Sequence, residues 1–294
     1  MSIPHRPSPG FPAHLNALYA RFPFDRSLDE DPLMCVRPYA KRPRAAEIAG
    51  IVAATLAVGT TRSIQRAFRE FELRAGADLE AWVDDSPQPG VARRFGTFRH
   101  RWIRGDQLTH LGRTLRSVYR SGESLEDRFL VGYRQAGFGA GLDSLARTLR
   151  EGPRGRPADA PAGYSRLFPS PLGPTHSACK RLVLYVRWMT RPGYPDLGLW
   201  RHVATGDLRV PLDQHVYWIA YHLGLTHRRT RNWAAVEEVT EALRRIDPID
   251  PVRFDFVLCH TGVSGDCPKR RDMSVCGPCV VRPDCQLWRG AVAG

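Results

Sequence analysis

The segment CPKRRDMSVCGPCVVRPDC, residues 267–285, decides how the last part of this chain is organised. It holds four of the seven cysteines at C-x8-C-x2-C-x5-C spacing. Thiolates gathered this closely are either disulfide partners or metal ligands. Residues 1–10 are polar and proline-rich, with no apolar stretch behind them, so we expect an intracellular, reducing compartment. Such a compartment favours metal binding.

Two kinds of metal centre remain open. Four-cysteine zinc sites usually consist of two C-x2-C pairs, whereas here only Cys276 and Cys279 form such a pair. A single run of cysteines with uneven gaps is more typical of a [4Fe–4S] cluster. The spacing therefore favours iron–sulfur over zinc, and the predicted ligands are Cys267, Cys276, Cys279 and Cys285.

The composition is that of a globular protein with an excess of positive charge. Hydrophobic residues make up 43% and charged residues 25% of the 294 positions. No apolar run approaches the roughly 18 residues that a membrane-spanning helix requires. Lys and Arg number 43 against 30 Asp and Glu, which gives a net charge of +13. This charge points to a polyanionic partner, although a general bias towards arginine would also produce it.

The chain contains only three lysines, Lys41, Lys180 and Lys269. Lys41 and Lys269 stand in basic runs where arginine would serve equally well. Lys180 instead opens an apolar helix, after the sequence PLGPTHSAC. A neutral amine can attack carbon, whereas a guanidinium stays protonated. The positive helix end and Arg187, two turns further along, would both favour the neutral amine. The alternative is an ordinary surface lysine.

The apolar periodicity is helical almost throughout, which predicts an all-α fold. The range 151–164 is rich in Gly and Pro and is predicted to be a loop or linker. No segment alternates as a strand would. The predicted helices are Ala45–Gly59, which is small and apolar and therefore buried, Arg62–Arg74, Leu108–Tyr119, Leu142–Leu149, His176–Arg191, Asp213–Leu223, Trp233–Ile246 and Pro251–Cys259.

Asp213 precedes an apolar helical stripe that ends before Gly224, so it is predicted to be the N-cap of that helix. Capping alone would explain it, yet a capping carboxylate can still present one oxygen to a neighbour. The histidines show no metal-ligand spacing with one another, and His260 beside Cys259 is a weaker ligand candidate than the four cysteines. The other cysteines, Cys35, Cys179 and Cys259, are interpreted as small buried residues.

The order of these features resembles the helix–hairpin–helix DNA glycosylase superfamily, whose best-known branch is the iron–sulfur enzyme endonuclease III. In that family a hairpin precedes a lysine that opens a helix, an aspartate caps the next helix, and four cysteines follow. Lys180, Asp213 and the cysteines stand in this order here. The resemblance covers about Pro171 to Trp288, and more loosely the chain from Ala45. The motifs Ser177-Ala-Cys-Lys-Arg-Leu and Pro211-Leu-Asp look like a bacterial branch of the superfamily.

The chain also departs from the family pattern. The hairpin normally reads Leu-Pro-Gly-Val-Gly, whereas here it is Pro171-Leu-Gly-Pro-Thr-His-Ser. The interval between the lysine and the aspartate carries an insertion around residues 192–209. The first cysteine gap is eight residues, where the endonuclease III branch has six. These differences leave the damaged base open, and both oxidised purines and oxidised pyrimidines fit.

The resemblance implies a bifunctional DNA glycosylase with lyase activity at abasic sites. Lys180 would attack C1′ of a flipped nucleotide and form a Schiff base, assisted by Asp213. The implied partner is double-stranded DNA with a damaged base, bound by a cytoplasmic, nucleoid-associated monomer that has no membrane contact. The implied DNA contacts are His176, Ser177, Arg228, Arg229, Lys269, Arg270 and Arg271.

The resemblance further implies a two-lobed helical fold with a C-terminal [4Fe–4S] loop. Residues 1–45 would pack with residues 225–294 in the cluster lobe, and residues 46–224 would form a helical barrel. Two other interpretations stay open. One is a non-catalytic iron–sulfur DNA-binding protein of the same fold, and the other is a zinc-stabilised helical regulator.

Overall fold

The computed structural model describes residues 8–24, 29, 31–153, 160–174 and 176–289. Within them the chain is mostly helical, which confirms the predicted all-α class. The helices are α1 (Phe11–Ala20), α2 (Pro43–Leu56), α3 (Thr61–Ala75), α4 (Leu79–Asp85), α5 (Pro89–Phe95), α6 (Gly105–Arg120), α7 (Leu125–Glu151), α8 (Lys180–Thr190), α9 (Gln214–His222), α10 (Trp233–Arg244), α11 (Asp255–Val263), α12 (Met273–Cys276) and α13 (Gln286–Arg289). Short 3₁₀ turns cover Pro32–Cys35, Arg37–Tyr39, Tyr164–Leu167, Thr205–Asp207 and Arg282–Asp284.

Among the described residues, one short hairpin is present that the alternation pattern did not indicate. Its strands are β1 (Arg99–His100) and β2 (Ile103–Arg104), paired antiparallel with Arg99 opposite Arg104. Strands of two residues are too short to show the alternation by which a strand is recognised in a sequence.

The chain divides into two compact units. The terminal unit comprises Met1–Ser27, His176–Lys180 and Thr205–Gly294. The central unit comprises Leu28–Thr175 and Arg181–Ala204. The predicted division had its boundaries at residues 45 and 224, whereas the units change at residues 27 and 204. The segment that leads into Lys180 therefore belongs to the same unit as Asp213 and the cysteines.

The core of the central unit is built around α2. Proline at its first position has the φ angle that a helix start needs. Every residue from Ala45 to Leu56 is buried, so the prediction of a buried apolar helix is confirmed. The helix ends at Leu56 rather than at the predicted Gly59, because the backbone already leaves the helical region at Ala57, where ψ is +61°.

The longest helix, α7, is bent in the middle. Gly137 has a φ of +76° and Ala136 is also non-helical, so two helical halves meet there. The prediction of a helix over 142–149 identified only the second half.

Of the predicted linker at 151–164, Glu151 is still the last residue of α7 and Tyr164 begins a 3₁₀ turn, whereas 152–153 and 160–163 are turns or irregular. Residues 154–159 lie outside the description.

No helix among the described residues combines the length and the hydropathy needed to cross a membrane.

Candidate active site and cysteine cavity

Asp213 is the N-cap of α9, as predicted. Its backbone is extended, with φ −85° and ψ −174°, and its Oδ1 accepts a hydrogen bond of 2.8 Å from the Val216 backbone N–H. A cap of this kind stabilises a helix by about 1 kcal/mol. The carboxylate is half-exposed, so the cap fixes its direction without removing it from solvent.

The second oxygen of Asp213 faces helix α11. Cys259 Sγ, on that helix, donates to Asp213 Oδ2 at 3.5 Å. The two helices approach closely because Gly262 has no side chain. A Cβ at Gly262 would lie 2.7 Å from His215 Cβ, which is closer than real contacts allow. Cys259, interpreted from the sequence as a small buried residue, is half-buried and borders the candidate catalytic carboxylate.

Lys180 is the first residue of α8 and is half-exposed. The segment before it has an unusual backbone, since His176 has a φ of +44° and Cys179 a φ of +49°. Left-handed backbone costs a residue with a side chain about 1–2 kcal/mol. This explains why the helix begins at Lys180 and not at His176, as the periodicity had predicted. Such strain persists where surrounding contacts fix the backbone.

Those contacts come from the start of α10. The Trp233 backbone N–H donates to the His176 carbonyl at 2.9 Å, and Ser177 forms an isolated antiparallel bridge with Asn232. Asn232 is itself the N-cap of α10, because its Oδ1 accepts from the Ala235 backbone N–H at 3.0 Å. The segment that precedes Lys180 is therefore held in place by residues more than fifty positions further along the chain.

The structure places Lys180 and Asp213 in one compact unit but does not link their side chains. Among the described residues, no ion pair within 4.0 Å and no hydrogen bond joins Lys180 Nζ to the Asp213 carboxylate. Arg187, expected to act on Lys180 from the same helix face, is buried and pairs with Asp196 at 3.1 Å. The charge of Arg187 is thus compensated locally.

All four predicted ligand cysteines line a single cavity. Its volume is about 50 Å³, several times the space of about 10–15 Å³ that one water needs on the same measure. Its walls are mainly apolar, with Ile219 of α9 and Leu258 of α11 among them. All seven cysteines lie among the described residues, and none forms a disulfide. Over the same residues, no group of three or more His, Cys, Asp or Glu side chains stands close enough to hold a metal ion.

Burial and backbone hydrogen bonds act in opposite directions on the thiols of this cavity. Burial raises the pKa values of the Cys267, Cys279 and Cys285 thiols, and the charge of at least one neighbouring cysteine raises each of them further. Backbone N–H groups of Lys269, Val281 and Leu287, each two residues further on, donate to these three sulfurs and oppose the rise in pKa. Four cysteines around an apolar cavity, three of them accepting backbone hydrogen bonds, are the type of ligand that an iron–sulfur cluster takes.

The cysteine segment is tied to the first residues of the terminal unit. Asp284, next to Cys285, is buried and accepts from the Ser8 backbone N–H at 3.2 Å and from His14 Nδ1 at 2.7 Å. Burial is the largest single influence and raises the pKa of Asp284, but the hydrogen bonds from Ser8 and His14 and the charge of His14 together outweigh it, so the pKa is lowered. Leu18 of α1 also lines the cysteine cavity.

Some of the basic residues predicted to contact DNA already have partners within the protein, and others do not. Arg228 donates to Glu238 at 2.7 Å, whereas Arg229 is exposed and has no carboxylate within 4.0 Å among the described residues. Arg271 donates to the Leu287 carbonyl and lies over the Trp288 ring.

The remaining predicted DNA contacts lie near the starts of α8 and α9 and beside the cysteine cavity. Lys269 Nζ lies 3.4 Å from His215 Nδ1, so it faces the start of α9. Arg270 is exposed and borders the cysteine cavity. His176 is exposed and Ser177 half-exposed, both in the strained segment before Lys180.

Sequence reasoning missed the buried carboxyl of Glu47. It accepts hydrogen bonds from Trp200 Nε1 at 2.8 Å, from Tyr119 OH at 3.2 Å and from the Leu125 backbone N–H at 3.2 Å. Burial raises its pKa despite these bonds. Glu47 organises the central unit, and the signal that could have found it is an acidic residue inside an otherwise apolar helix.

Fold and site together define an all-α protein with a helix-opening lysine, a helix-capping aspartate and a four-cysteine cavity in one compact unit. A family model described as "Protein of unknown function (DUF2400)" matches residues 31–264, and the chain belongs to this family. Lys180 and Asp213 lie inside the matched region, and the four cavity cysteines lie after it. No curated protein and no solved structure matches the chain.

Proposed function

We propose that the protein is a DNA repair glycosylase of the helix–hairpin–helix type with lyase activity, and that it uses Lys180 as its nucleophile. The observation that carries this proposal is the arrangement of the terminal unit. One compact body contains a half-exposed lysine at a helix start, an anchored and half-exposed carboxylate at the next helix start, and a four-cysteine cavity.

In this mechanism the neutral amine of Lys180 forms a bond to C1′ of the damaged nucleotide. The N-glycosidic bond breaks, and the base leaves with the bonding electrons and takes up a proton. Asp213 accepts the proton that Nζ loses and stabilises the positive charge that develops on the sugar. Opening of the sugar ring gives a Schiff base, and loss of a C2′ proton then expels the 3′ phosphate and nicks the strand.

The four cysteines would hold the iron–sulfur cluster, which supplies cross-linking of the C-terminal segment and no step of bond cleavage. Metal binding requires the thiolate forms, so it would reverse the rise in the thiol pKa values that burial causes. The exposed Arg229 and Arg270 would contact DNA phosphates, since guanidinium groups bind phosphate well.

One observation favours a second candidate, a non-catalytic DNA-binding protein of the same fold. Both oxygens of Asp213 already have partners, the Val216 N–H and the Cys259 thiol, and neither is Lys180. A carboxylate with this surrounding could serve as a cap alone. The two candidates differ in whether Lys180 becomes covalently bound to DNA.

The test is borohydride trapping on a panel of duplexes that carry abasic sites, oxidised purines or oxidised pyrimidines. The parent should form a covalent complex with at least one duplex, and Lys180→Arg should form none because it cannot supply a neutral amine. Lys269→Arg and Lys41→Arg make the same substitution at the other two lysines. Both variants should form the covalent complex as the parent does. Trapping by Lys180→Arg would overturn the assignment of the nucleophile. DNA binding without trapping by the parent would favour the non-catalytic protein.

A further inference from the structure

The β1–β2 hairpin of the central unit presents an exposed aromatic ring at its tip. Arg101 and Trp102 form the two-residue turn, and Arg101 has the left-handed φ of +56° that such tight turns use. Trp102 is 57% exposed, which is unusual for the largest apolar side chain. A single exposed aromatic needs no explanation by itself, so the surroundings of the ring decide its meaning.

The base of the hairpin is rigid. His100 is buried, and its Nε2 lies 3.0 Å from the Leu56 carbonyl and 2.9 Å from the Val58 carbonyl, where α2 ends. Burial lowers the pKa of His100, so the neutral ring donates to these carbonyls. On the other strand, Ile103 is completely buried. Trp102 therefore stands on a fixed support and not on a mobile loop.

The Arg101 side chain lies over a glycine. Gly59, with φ +104°, lies beneath its guanidinium, and a Cβ at Gly59 would approach the Arg101 Nε to 3.0 Å. Any larger residue at position 59 would displace the arginine or strain the backbone. The turn thus holds a cation and an indole side by side.

The charge on the hairpin and on the neighbouring helix α6 is positive and largely uncompensated. Among the described residues, Arg99, Arg101 and Arg113 have no carboxylate within 4.0 Å. Arg104 is the exception, because it pairs with Asp106 at 2.9 Å. In contrast, many other arginines of the chain are ion-paired, as Arg74 is with Glu70.

Beside the hairpin lies a cavity of about 340 Å³, and Arg99, Arg104 and Arg113 line it. Its wall includes Gly105, the first residue of α6. Asp106, the ion-pair partner of Arg104, also lines the cavity, so Arg99 and Arg113 are the lining guanidinium groups left without a carboxylate among the described residues. Guanidinium groups of this kind bind phosphate oxygens.

Arg101 and Trp102 are not part of the cavity lining, but they follow Arg99 by two and three residues on the same short hairpin. Basic side chains and an exposed aromatic ring on one hairpin match the repeating chemistry of a nucleic acid strand, in which each phosphate is followed by a stackable base.

We infer that this hairpin is a base-stacking contact for DNA. The Trp102 indole stacks on an unpaired base, and Arg99, Arg101 and Arg113 bind the phosphates that flank it. The inference rests on the proposed function for the identity of the partner. It does not depend on Lys180 chemistry, since stacking and phosphate binding need no bond cleavage.

The experiment uses fluorescein-labelled, lesion-free DNA, either fully paired or with a three-nucleotide single-stranded gap, and measures anisotropy in a Lys180→Arg background. Trp102→Ala should weaken binding of the gapped DNA by about 5-fold to 100-fold, the range expected for one base–aromatic stack, and should leave binding of the paired duplex nearly unchanged. Trp102→Phe should retain most of the affinity. Leu73→Ala, which truncates another exposed apolar side chain of the same unit, should have no effect.

The arginines should behave differently from the tryptophan. Arg99→Ala and Arg101→Ala should weaken binding of both DNAs, and each should reduce the salt-dependence slope by about 0.7–0.9. Arg120→Ala removes the same charge from another exposed position of the unit and should leave the slope unchanged. Melting temperatures of all variants should match the parent, because these side chains are exposed.

The outcomes separate this inference from the proposed function. Equal binding of gapped DNA by Trp102→Ala and its parent overturns the inference, while trapping by the Lys180-containing protein would still support the glycosylase. Dependence on Trp102 without trapping of any lesion supports the stacking contact and rejects the glycosylase chemistry. If the protein binds neither DNA, both proposals fail.

Discussion

The start of α8 and the start of α9 carry the two candidate catalytic residues, and they are held in different ways. Asp213 is fixed by a residue three positions further along its own helix, through the 2.8 Å bond to the Val216 N–H. The segment before Lys180 is held by the start of α10, through the hydrogen bond from the Trp233 N–H to the His176 carbonyl. The first arrangement is local and can be recognised in the sequence, whereas the second depends on the fold.

The largest effect should come from the local arrangement, at Asp213. Asp213→Asn keeps an oxygen for the cap but cannot accept a proton, so base release should fall by about 10²-fold to 10⁴-fold with unchanged stability. Asp213→Ala should lose both functions and cost about 1 kcal/mol of unfolding free energy. Single-turnover base release and urea unfolding measure the two effects. Normal base release by Asp213→Asn would mean that the residue is only a cap.

The hydrogen bond that holds the segment before Lys180 can be removed by a substitution at Trp233. Trp233→Pro removes the N–H that holds the His176 carbonyl, while proline is accepted at the first position of a helix and Asn232 already has extended backbone. We expect trapping by Lys180 to slow by about 10-fold to 100-fold, because small displacements of a reacting group are costly. Trp233→Ala removes the same side chain but keeps the N–H, and it is the matched control. Similar rates for both variants would show that this bond does not position Lys180.

A third test extends the comparison to the cysteine cavity. Anaerobically purified protein should contain about four irons per chain, and Cys279→Ser should reduce this value strongly. Cys179→Ser changes a buried cysteine outside the cavity and should keep the iron. Iron and acid-labile sulfide analysis provide the measurement. Stoichiometric zinc without iron in the parent would identify the other metal centre.

The smallest effect concerns two neighbouring arginines between α9 and α10. Arg229→Ala should lower the slope of log affinity against log salt by about 0.9 on duplex DNA, because one phosphate contact is lost. Arg228 is already paired with Glu238, so Arg228→Ala should lower the slope less. A larger change for Arg228→Ala would indicate that the ion pair opens when DNA binds.

The sequence predicted those features that depend on neighbouring residues. The all-α class, the buried helix at α2 and the cap at Asp213 follow from periodicity and from capping chemistry, which act within a few residues. The late start of α8 could not be predicted in this way, since it depends on positive φ angles at His176 and Cys179 that contacts with α10 impose.

Other parts of the site were missed for the same physical reason. Nothing near Cys259 in the sequence indicates that its thiol would face Asp213, because the close packing of α9 and α11 creates that contact. Glu47 and the hairpin at Trp102 are intermediate cases. An acidic residue in an apolar helix and a tryptophan among arginines are visible in the sequence, but their partners are visible only in the fold.

The hydrogen bonds of Asp284 to Ser8 and His14 have a consequence for biosynthesis. They join residues that are 276 and 270 positions apart. On the ribosome, α1 emerges first but has to wait for residue 284 before it gains these contacts, whereas the central unit is fully synthesised by residue 204. The order of synthesis therefore allows the central unit to fold first, and the body that contains Lys180, Asp213 and the cysteines can be completed only last.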